Sequence, residues 1–271
     1  MRYPRLALFA AAVSFTVDSG ALHAQTASTE NTALFTRNDA ILAAGFAGLT
    51  VAMFPLDKSL ARILTNDVSK TNKWLSRSAT GVELLTDPGS LIIGAALYTA
   101  GRVSHKPNIE DLGWHGTESI IIAGSTTWIL KSLAGRARPY VSKDTSPADF
   151  QLFAGFRNGD RMSFPSGHTT TAFAAASAVT SEVRRMWPGH TWLVGPAMYG
   201  GATLVGLSRM YHDKHWASDV VVGAAIGTFT GIKVVRYTHA HPQNRLDRAI
   251  LKDKAAGMRI PVATFRIPLS F

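Results

Sequence analysis

Apolar residues in this chain are gathered into uncharged stretches separated by polar connections. Six such stretches can be read from the sequence: Ala40–Leu56, Pro88–Gly101, Ser119–Leu130, Thr169–Ser181, Thr191–Ser208 and Val220–Ile232. Between the first two, Leu60–Leu85 carries apolar residues near helical spacing. Strand-like alternation is scarce before the tail, Val262–Leu269. The pattern predicts an all-α fold, a helical bundle of about six core helices over residues 38–240.

The lengths of these stretches bear on whether the bundle spans a membrane. Most contain about 12 to 14 residues, whereas a spanning helix needs about 17–25. Short runs rich in alanine and glycine are more typical of buried core helices. The lengths therefore favour a compact bundle, with a membrane-spanning bundle as the alternative.

The N-terminus has the layout of a secretory signal peptide. Arg2 and Arg5 precede an apolar run, Leu6–Val17, and small residues follow up to Ala24. We therefore expect residues 1–24 to be a signal peptide and the polar residues 25–37 to be a linker. The mature chain would be exported, either free in the periplasm or at the periplasmic face of a membrane. Residues 241–271 are expected to form a separate C-terminal tail, whose role the pattern does not indicate.

The composition of the chain limits its partners and the kinds of catalysis it can perform. The 271 residues carry a formal net charge of +10 and include no cysteine. A basic chain suggests an anionic partner, such as a phosphate ester, nucleic acid or an acidic membrane surface. The absence of cysteine excludes disulfides and thiol catalysis.

Two connections predict where functional residues gather. The polar segment Tyr140–Met162 is long, and long loops are often functional. Two helices, about Thr169–Arg185 and Thr191–Leu207, are joined by a short turn and should be antiparallel. The chain would then leave His168 and return at Ser208 to the same end of the bundle, which is where we expect the active site.

Three segments carry the candidate chemistry, and the first contains two cations. Lys131 lies in the last turn of a helix that should end near Gly135, and Arg138 follows just beyond. Both could face one anion, because arginine offers a planar fork to phosphate oxygens and lysine a compact charge. Alternatively, the cations could simply complement the helix dipole.

The second segment, Ser163–Thr169, places a Pro-Ser-Gly turn before an alanine-rich helix. Amides at a helix N-terminus form an anion site. The Ser166 hydroxyl could add a donor, and Gly167 would let the backbone approach the anion closely. His168 would lie at the mouth of this site, although a capping or core histidine is an alternative.

The third segment runs from Ser208 to Asp219. His215 and Asp219 are four residues apart and share a helix face. If the aspartate bonds to one ring nitrogen, the other nitrogen stays nucleophilic. Arg209 would supply a further fork for phosphate. The alternatives are an ordinary surface ion pair, or a metal bound by His212, His215 and Asp219.

Together these segments, Lys-x6-Arg-Pro, Pro-Ser-Gly-His and Ser-Arg-x5-His-x3-Asp, resemble the signature of the type 2 phosphatidic acid phosphatase superfamily. That superfamily also contains class A bacterial acid phosphatases and vanadium haloperoxidases. The resemblance covers about Lys131 to Asp219. It implies that His215 attacks phosphorus, that Asp219 orients it and that His168 protonates the leaving oxygen. The implied phosphate-binding residues are Lys131, Arg138, Ser166, Gly167 and Arg209.

The resulting hypothesis is a phosphatase that works through a phosphohistidine, without a metal or cofactor. Its substrate would be a lipid-linked or small organic phosphate, an anionic membrane surface is a possible partner, and no nucleic acid is expected. Two alternatives stay open, a vanadium-dependent haloperoxidase and a non-enzymatic envelope protein that binds anionic lipid. The oligomeric state is not indicated.

Overall fold

A computed structural model describes residues 33–65, 73–86, 88–141, 144–241, 244 and 246–247. In that part of the chain the secondary structure is helical, apart from one isolated bridge between Arg136 and Phe150. The α-helices are α1 (Arg37–Met53), α2 (Asp57–Leu64), α3 (Lys73–Thr86), α4 (Gly89–Val103), α5 (Pro107–Ala134), α6 (Gly167–Met186), α7 (Thr191–Tyr211) and α8 (Ala217–Ala240). The predicted all-α fold is confirmed. The expected signal peptide, most of the linker and most of the tail lie outside the described residues.

The helices are longer than the uncharged runs that predicted them. α5 has 28 residues, α6 has 20, α7 has 21 and α8 has 24. In these four helices the uncharged run lies inside the helix, which continues through flanking polar turns, because lysine, arginine and glutamate are good helix formers. At 1.5 Å per residue these helices are about 30 Å or more in length. The run lengths therefore understate the helix lengths, on which the argument about membrane-spanning helices depends.

Helices α6 and α7 are antiparallel, as the short connection predicted. A Cβ on Gly206 would lie 3.5 Å from Thr169, and a Cβ on Gly195 would lie 3.5 Å from Thr180. The start of α6 therefore lies opposite the end of α7, and the turn at Pro188–His190 lies at the far end of the pair. The chain returns to the end where it left, which brings His168 and Arg209 to one end of the bundle.

Helices α6 and α8 run parallel and touch along a stripe of glycines. Gly223, Gly227 and Gly231 are four residues apart, and a Cβ on each would lie 2.2–2.6 Å from a backbone oxygen of α6. The clash would be closest at Gly227, where the oxygen belongs to Thr170. Small residues at this spacing let two helix backbones approach each other. As a result, the N-termini of α6 and α8 lie side by side.

Large apolar side chains are exposed on several helices. They include Leu49 and Val51 of α1, Ile92 and Ile93 of α4, Ile121, Ile122, Trp128 and Ile129 of α5, and Leu193, Leu204 and Leu207 of α7. Two helical stretches are long and apolar enough to cross a membrane: Arg37–Leu64, which is almost wholly exposed, and Ala217–Ala240, which is half buried. Soluble monomers rarely expose so much apolar surface.

Candidate active site

His215 lies in the short connection between α7 and α8 and is only 3% exposed. Its Nδ1 is 2.7 Å from the carbonyl oxygen of Ser163 and 3.7 Å from Oδ2 of Asp219. A carbonyl can only accept, so Nδ1 carries the proton and Nε2 keeps its lone pair. The predicted direct bond from Asp219 to the ring is therefore corrected, because the Ser163 carbonyl is the acceptor.

Asp219 acts on His215 through the segment that carries this carbonyl. The fully buried Asp219 carboxylate accepts hydrogen bonds from Ser163 Oγ at 2.6 Å and from the Trp216 amide at 2.8 Å. It also accepts one from Nη1 of Arg136. Asp219 thereby fixes both the residue that bonds to His215 and the start of α8.

Arg136 is the residue that the sequence reading missed. Its fully buried guanidinium bonds to Asp219, to Asp57 Oδ2 at 2.7 Å and to Ser218 Oγ at 2.8 Å. The rings of Phe54, Phe150, Phe164 and Trp216 surround it at 4.9–5.9 Å. A third cation between Lys131 and Arg138 was a visible signal, whereas its partner Asp57, 79 residues earlier in the chain, gave none.

The charge state of His215 follows from this burial. Loss of water around the ring lowers its pKa most, and the nearby positive charges of Lys131 and Arg138 lower it further. The negative charge of Asp219 opposes both effects, and the pKa falls to about 3. The ring is therefore neutral at ordinary pH, as a nucleophile must be.

Lys131 and Arg138 converge on the same end of the bundle as His215. Lys131 is in the last turn of α5, which ends at Gly135 in the left-handed conformation, as predicted. The Lys131 Nζ lies 3.4 Å from the position that a Cβ on Gly167 would occupy. Arg138 donates from Nε to the Gly159 carbonyl at 3.1 Å. Two cations therefore lie beside the first turn of α6 and near His215.

Arg209, at the end of α7, is buried and paired. Its Nη1 is 2.7 Å from Oε1 of Glu83 in α3, a partner that the sequence did not indicate. Its Nε has no hydrogen-bond partner among the described residues. Glu83 also bonds to Nδ1 of His212 at 2.6 Å. His212 therefore faces Glu83, which argues against the alternative of a metal held by His212, His215 and Asp219.

Ser166 precedes α6 and is fully buried. Its amide donates to the Asp219 carbonyl at 3.0 Å, which ties α6 to α8. Its hydroxyl is 2.8 Å from Thr169 Oγ1, and either oxygen can be the donor. Gly167 and His168 are half-buried residues at the start of the helix. They lie where a helix has amides without intrahelical partners, which is suited to an anion.

The segment Tyr140–Met162 has no α-helix in its described part and folds as a chain of short 3₁₀ turns. Arg161 and Asp149 hold it with two bonds of 2.8 and 2.9 Å. The Phe153 amide donates to the Leu133 carbonyl at 2.8 Å, so this segment packs beside the end of α5. Leu152, Phe153 and Phe156 are 74%, 62% and 53% exposed, so this segment adds large apolar side chains to the surface.

Comparisons with known proteins were made for the whole chain. The model of the PAP2 superfamily matches residues 113–243. A lipid A 1-phosphatase from Rhizobium etli is 33% identical over 133 residues, 48% of this chain and 52% of that protein. A lipid A 1-phosphatase from Porphyromonas gingivalis is 44% identical over 69 residues, 26% of this chain and 15% of that protein. The chain thus spans about half, or less, of the length of these curated relatives.

A solved structure shows the same fold. It is the crystal structure of the first transmembrane PAP2 type phosphatidylglycerolphosphate phosphatase from Bacillus subtilis. The match has a TM-score of 0.55 and 21% sequence identity, and covers 78% of this chain and 99% of that one. The likeness confirms the helical architecture.

Proposed function

Because the model of the PAP2 superfamily matches residues 113–243, we propose that this chain is a phosphatase that forms a phosphohistidine on Nε2 of His215. The observation that carries this proposal is the 2.7 Å contact between His215 Nδ1 and the Ser163 carbonyl. It leaves a neutral ring with its free lone pair on Nε2, close to two cations and a helix N-terminus.

The reaction would proceed in two displacements. In the first, Nε2 of His215 attacks phosphorus, the bond from phosphorus to the leaving oxygen breaks, and His168 donates a proton to that oxygen. In the second, His168 takes a proton from water, which attacks the phosphohistidine and releases phosphate. Such proton transfers contribute typically about 10²–10⁴-fold.

The proposed binding residues neutralise the phosphoryl oxygens. Lys131, Arg138 and Arg209 supply positive charge, and the Ser166 hydroxyl and the first amides of α6 around Gly167 supply hydrogen bonds. Fixed donors and charges aimed at the transition state are usually the largest contribution to such a reaction. The role proposed for Ser166 requires Thr169 to donate to it, so that its own proton points to the substrate.

A phosphorylated lipid is the substrate class that the observations favour, and a lipid A phosphate is the finer proposal. The relatives from Rhizobium etli and Porphyromonas gingivalis are lipid A 1-phosphatases. The exposed side chains of Leu152, Phe153 and Phe156 would give acyl chains an apolar contact on the segment that packs beside the end of α5. A small soluble phosphate would have no use for that surface.

The apolar exterior supports a position in a membrane. The long exposed stretch Arg37–Leu64 and the isoleucines and leucines on α4, α5 and α7 would face lipid. Within this proposal the active-site end faces the periplasm, an expectation that rests on the signal-like N-terminus.

The decisive experiment traps the intermediate. The full chain in detergent is mixed with lipid A labelled with ³²P at its 1-phosphate and quenched in alkali within the first turnover. We expect label on the protein that survives alkali and is lost in acid, the behaviour of a phosphoramidate. In His215→Asn the label should be absent, and turnover should fall by at least about 10³-fold, because the nucleophile is gone.

A matched variant, His241→Gln, changes an exposed histidine outside the site and should keep both label and turnover. Label on the His215→Asn variant would overturn the assignment of the nucleophile. Turnover of p-nitrophenyl phosphate but not of lipid A would retain the mechanism and reject the lipid substrate. Absence of turnover on both substrates in folded protein would reject the phosphatase proposal.

A further inference from the structure

A second cluster of histidines and carboxylates lies at the opposite end of the bundle. His115 of α5, Glu182 of α6 and His239 of α8 meet there. His115 Nδ1 is 2.5 Å from Oε1 of Glu182, and His239 Nε2 is 2.9 and 3.1 Å from the two carboxylate oxygens. Glu182 is fully buried and His115 is 2% exposed.

This cluster is separate from the phosphate site. His115 and Lys131 are 16 residues apart on α5, a distance of about 24 Å along the helix. Glu182 and His239 lie at the far ends of α6 and α8, whose first turns form the active site. The proposed phosphatase mechanism makes no use of the cluster, so catalysis does not explain why its three ionisable groups lie together.

The donor atoms have the types and spacing of a metal site. Two imidazole nitrogens and one carboxylate oxygen lie within 4.8 Å of one another. In a tetrahedral zinc site, donors about 2.0–2.2 Å from the metal are about 3.3–3.6 Å apart. Shifts of about half an ångström in side chains held by three different helices would therefore admit an ion. Two histidines and one glutamate are a ligand set that zinc uses with one position left open.

Two further buried polar atoms beside the cluster have no hydrogen-bond partner among the described residues. Buried His115 Nε2 has no hydrogen bond among the described residues, and Oδ2 of Asp247 lies 3.9 Å from it. Zinc-bound histidines usually direct their second nitrogen at such a carboxylate. Oε2 of Glu118, one turn beyond His115 on α5, is also buried without a partner in the described structure. A carboxylate behind the ring and another beside it would offset the charge of a cation.

We propose that His115 Nδ1, Glu182 and His239 Nε2 bind a divalent cation, with Zn²⁺ the best match to the ligand types. The ion would join α5, α6 and α8, the three helices that also carry the active-site residues. The ion lies far from His215 and takes no part in the transfer of phosphate. The proposal does not depend on the identity of the substrate.

Metal binding can be measured without any activity assay. The full chain, purified in detergent without a histidine tag, is treated with a chelator, dialysed and titrated with Co²⁺, and zinc content is measured after equilibration with Zn²⁺. We expect one equivalent of zinc per chain, visible absorption bands of tetrahedral Co²⁺ that Zn²⁺ displaces, and a Tm that rises with zinc concentration.

Variants locate the ion. His239→Gln should abolish the cobalt bands and the zinc-dependent rise in Tm, and Glu182→Gln should do the same. The matched control His241→Gln, two residues away on an exposed position, should keep both. If a variant fails to fold, the zinc content and cobalt bands of the wild-type chain still show whether the chain binds an ion.

Two results would overturn the proposal. Folded wild-type protein that binds less than a tenth of an equivalent of zinc and gives no cobalt bands would show that the cluster is a hydrogen-bonded network alone. Zinc binding that persists unchanged in folded His239→Gln and Glu182→Gln would place the ion elsewhere.

Discussion

The two ends of this bundle are built from the same three helices and both bury carboxylates, yet the ligands proposed for them have opposite charge. At the active-site end, the buried carboxylates of Asp219 and Asp57 share one buried guanidinium, that of Arg136. At the other end, buried Glu182 bonds to the two histidines of the cluster, His115 and His239. The difference lies in how the buried negative charge is neutralised.

That difference bears on the charge of the ligand that each end of the bundle can bind. Where Arg136 neutralises the aspartates, Lys131 and Arg138 keep an excess of positive charge, which an anion can use. Where the carboxylate bonds to imidazoles, all three side chains are of types that bind metals, which a cation can use. The side chains that pair with the buried carboxylates, rather than the presence of histidine, thus decide which charge of ligand each end can bind.

The largest effect is expected from removing Arg136. Arg136→Met leaves Asp219 and Asp57 as buried charges without their cation, and breaking a buried pair typically costs about 3–5 kcal/mol. The active-site end should lose its structure while zinc binding at the other end weakens less. Denaturant unfolding in mixed micelles, followed by tryptophan fluorescence, measures the loss.

Arg138→Met is the matched control, because the Arg138 guanidinium is half-buried and donates from Nε to a backbone carbonyl. It should lower turnover and cost less than half the stability that Arg136→Met costs. Equal losses of stability for the two arginines would contradict the structural role given to Arg136.

A smaller effect, felt at both ends, is expected from the glycine stripe. In Gly227→Ala the new methyl group would lie 2.2 Å from the Thr170 carbonyl oxygen, so α6 and α8 must separate. Overpacking of this kind costs typically about 1–3 kcal/mol. We expect lower unfolding stability together with weaker phosphate turnover and weaker zinc binding.

Gly200→Ala should raise the unfolding stability instead of lowering it, since a Cβ at Gly200 meets nothing within 4 Å. Alanine stabilises an exposed helix position by about 0.5–1 kcal/mol relative to glycine. If Gly227→Ala were as well tolerated as Gly200→Ala, the close approach of α6 and α8 would not be what aligns the two ends.

A further effect, confined to the active-site end, concerns the dependence of stability on pH. His215 has a pKa of about 3 in the folded chain, below the ordinary value near 6.5. Above pH 6.5 neither state binds the proton, and the contribution of His215 to stability is complete. As pH falls from 6.5 toward 3, only the unfolded chain takes up the proton, so the folded chain loses stability.

His215→Gln removes this dependence, so the Tm difference between wild type and variant should be constant above pH 6.5 and change steadily below it. The change amounts to at most about 1.4 kcal/mol per pH unit. A difference that stays constant down to pH 4.5 would mean that the ring is charged, or is exposed to water, in the folded chain.

The sequence predicted much of the site because its residues are gathered near helix ends. Lys131 and Arg138 flank a glycine helix end, and His168 begins a helix. Arg136 was missing from that prediction for a different reason. Arginine beside two other cations looks like one more ligand for phosphate, and its inward orientation depends on Asp57, a residue of a distant helix.

By itself, the sequence determined the all-α fold, the return of α7 to the start of α6, and the choice of residues proposed to bind phosphate, because these depend on local periodicity and short spacings. Tertiary structure decided the rest. The acceptor of the His215 proton, the burial of Arg136, the Glu83 partner of Arg209 and the meeting of His115, Glu182 and His239 all join residues at least 52 positions apart. Contacts between residues so far apart in the sequence depend on how the helices pack, and the glycine contact between the parallel helices α6 and α8 is central to that packing.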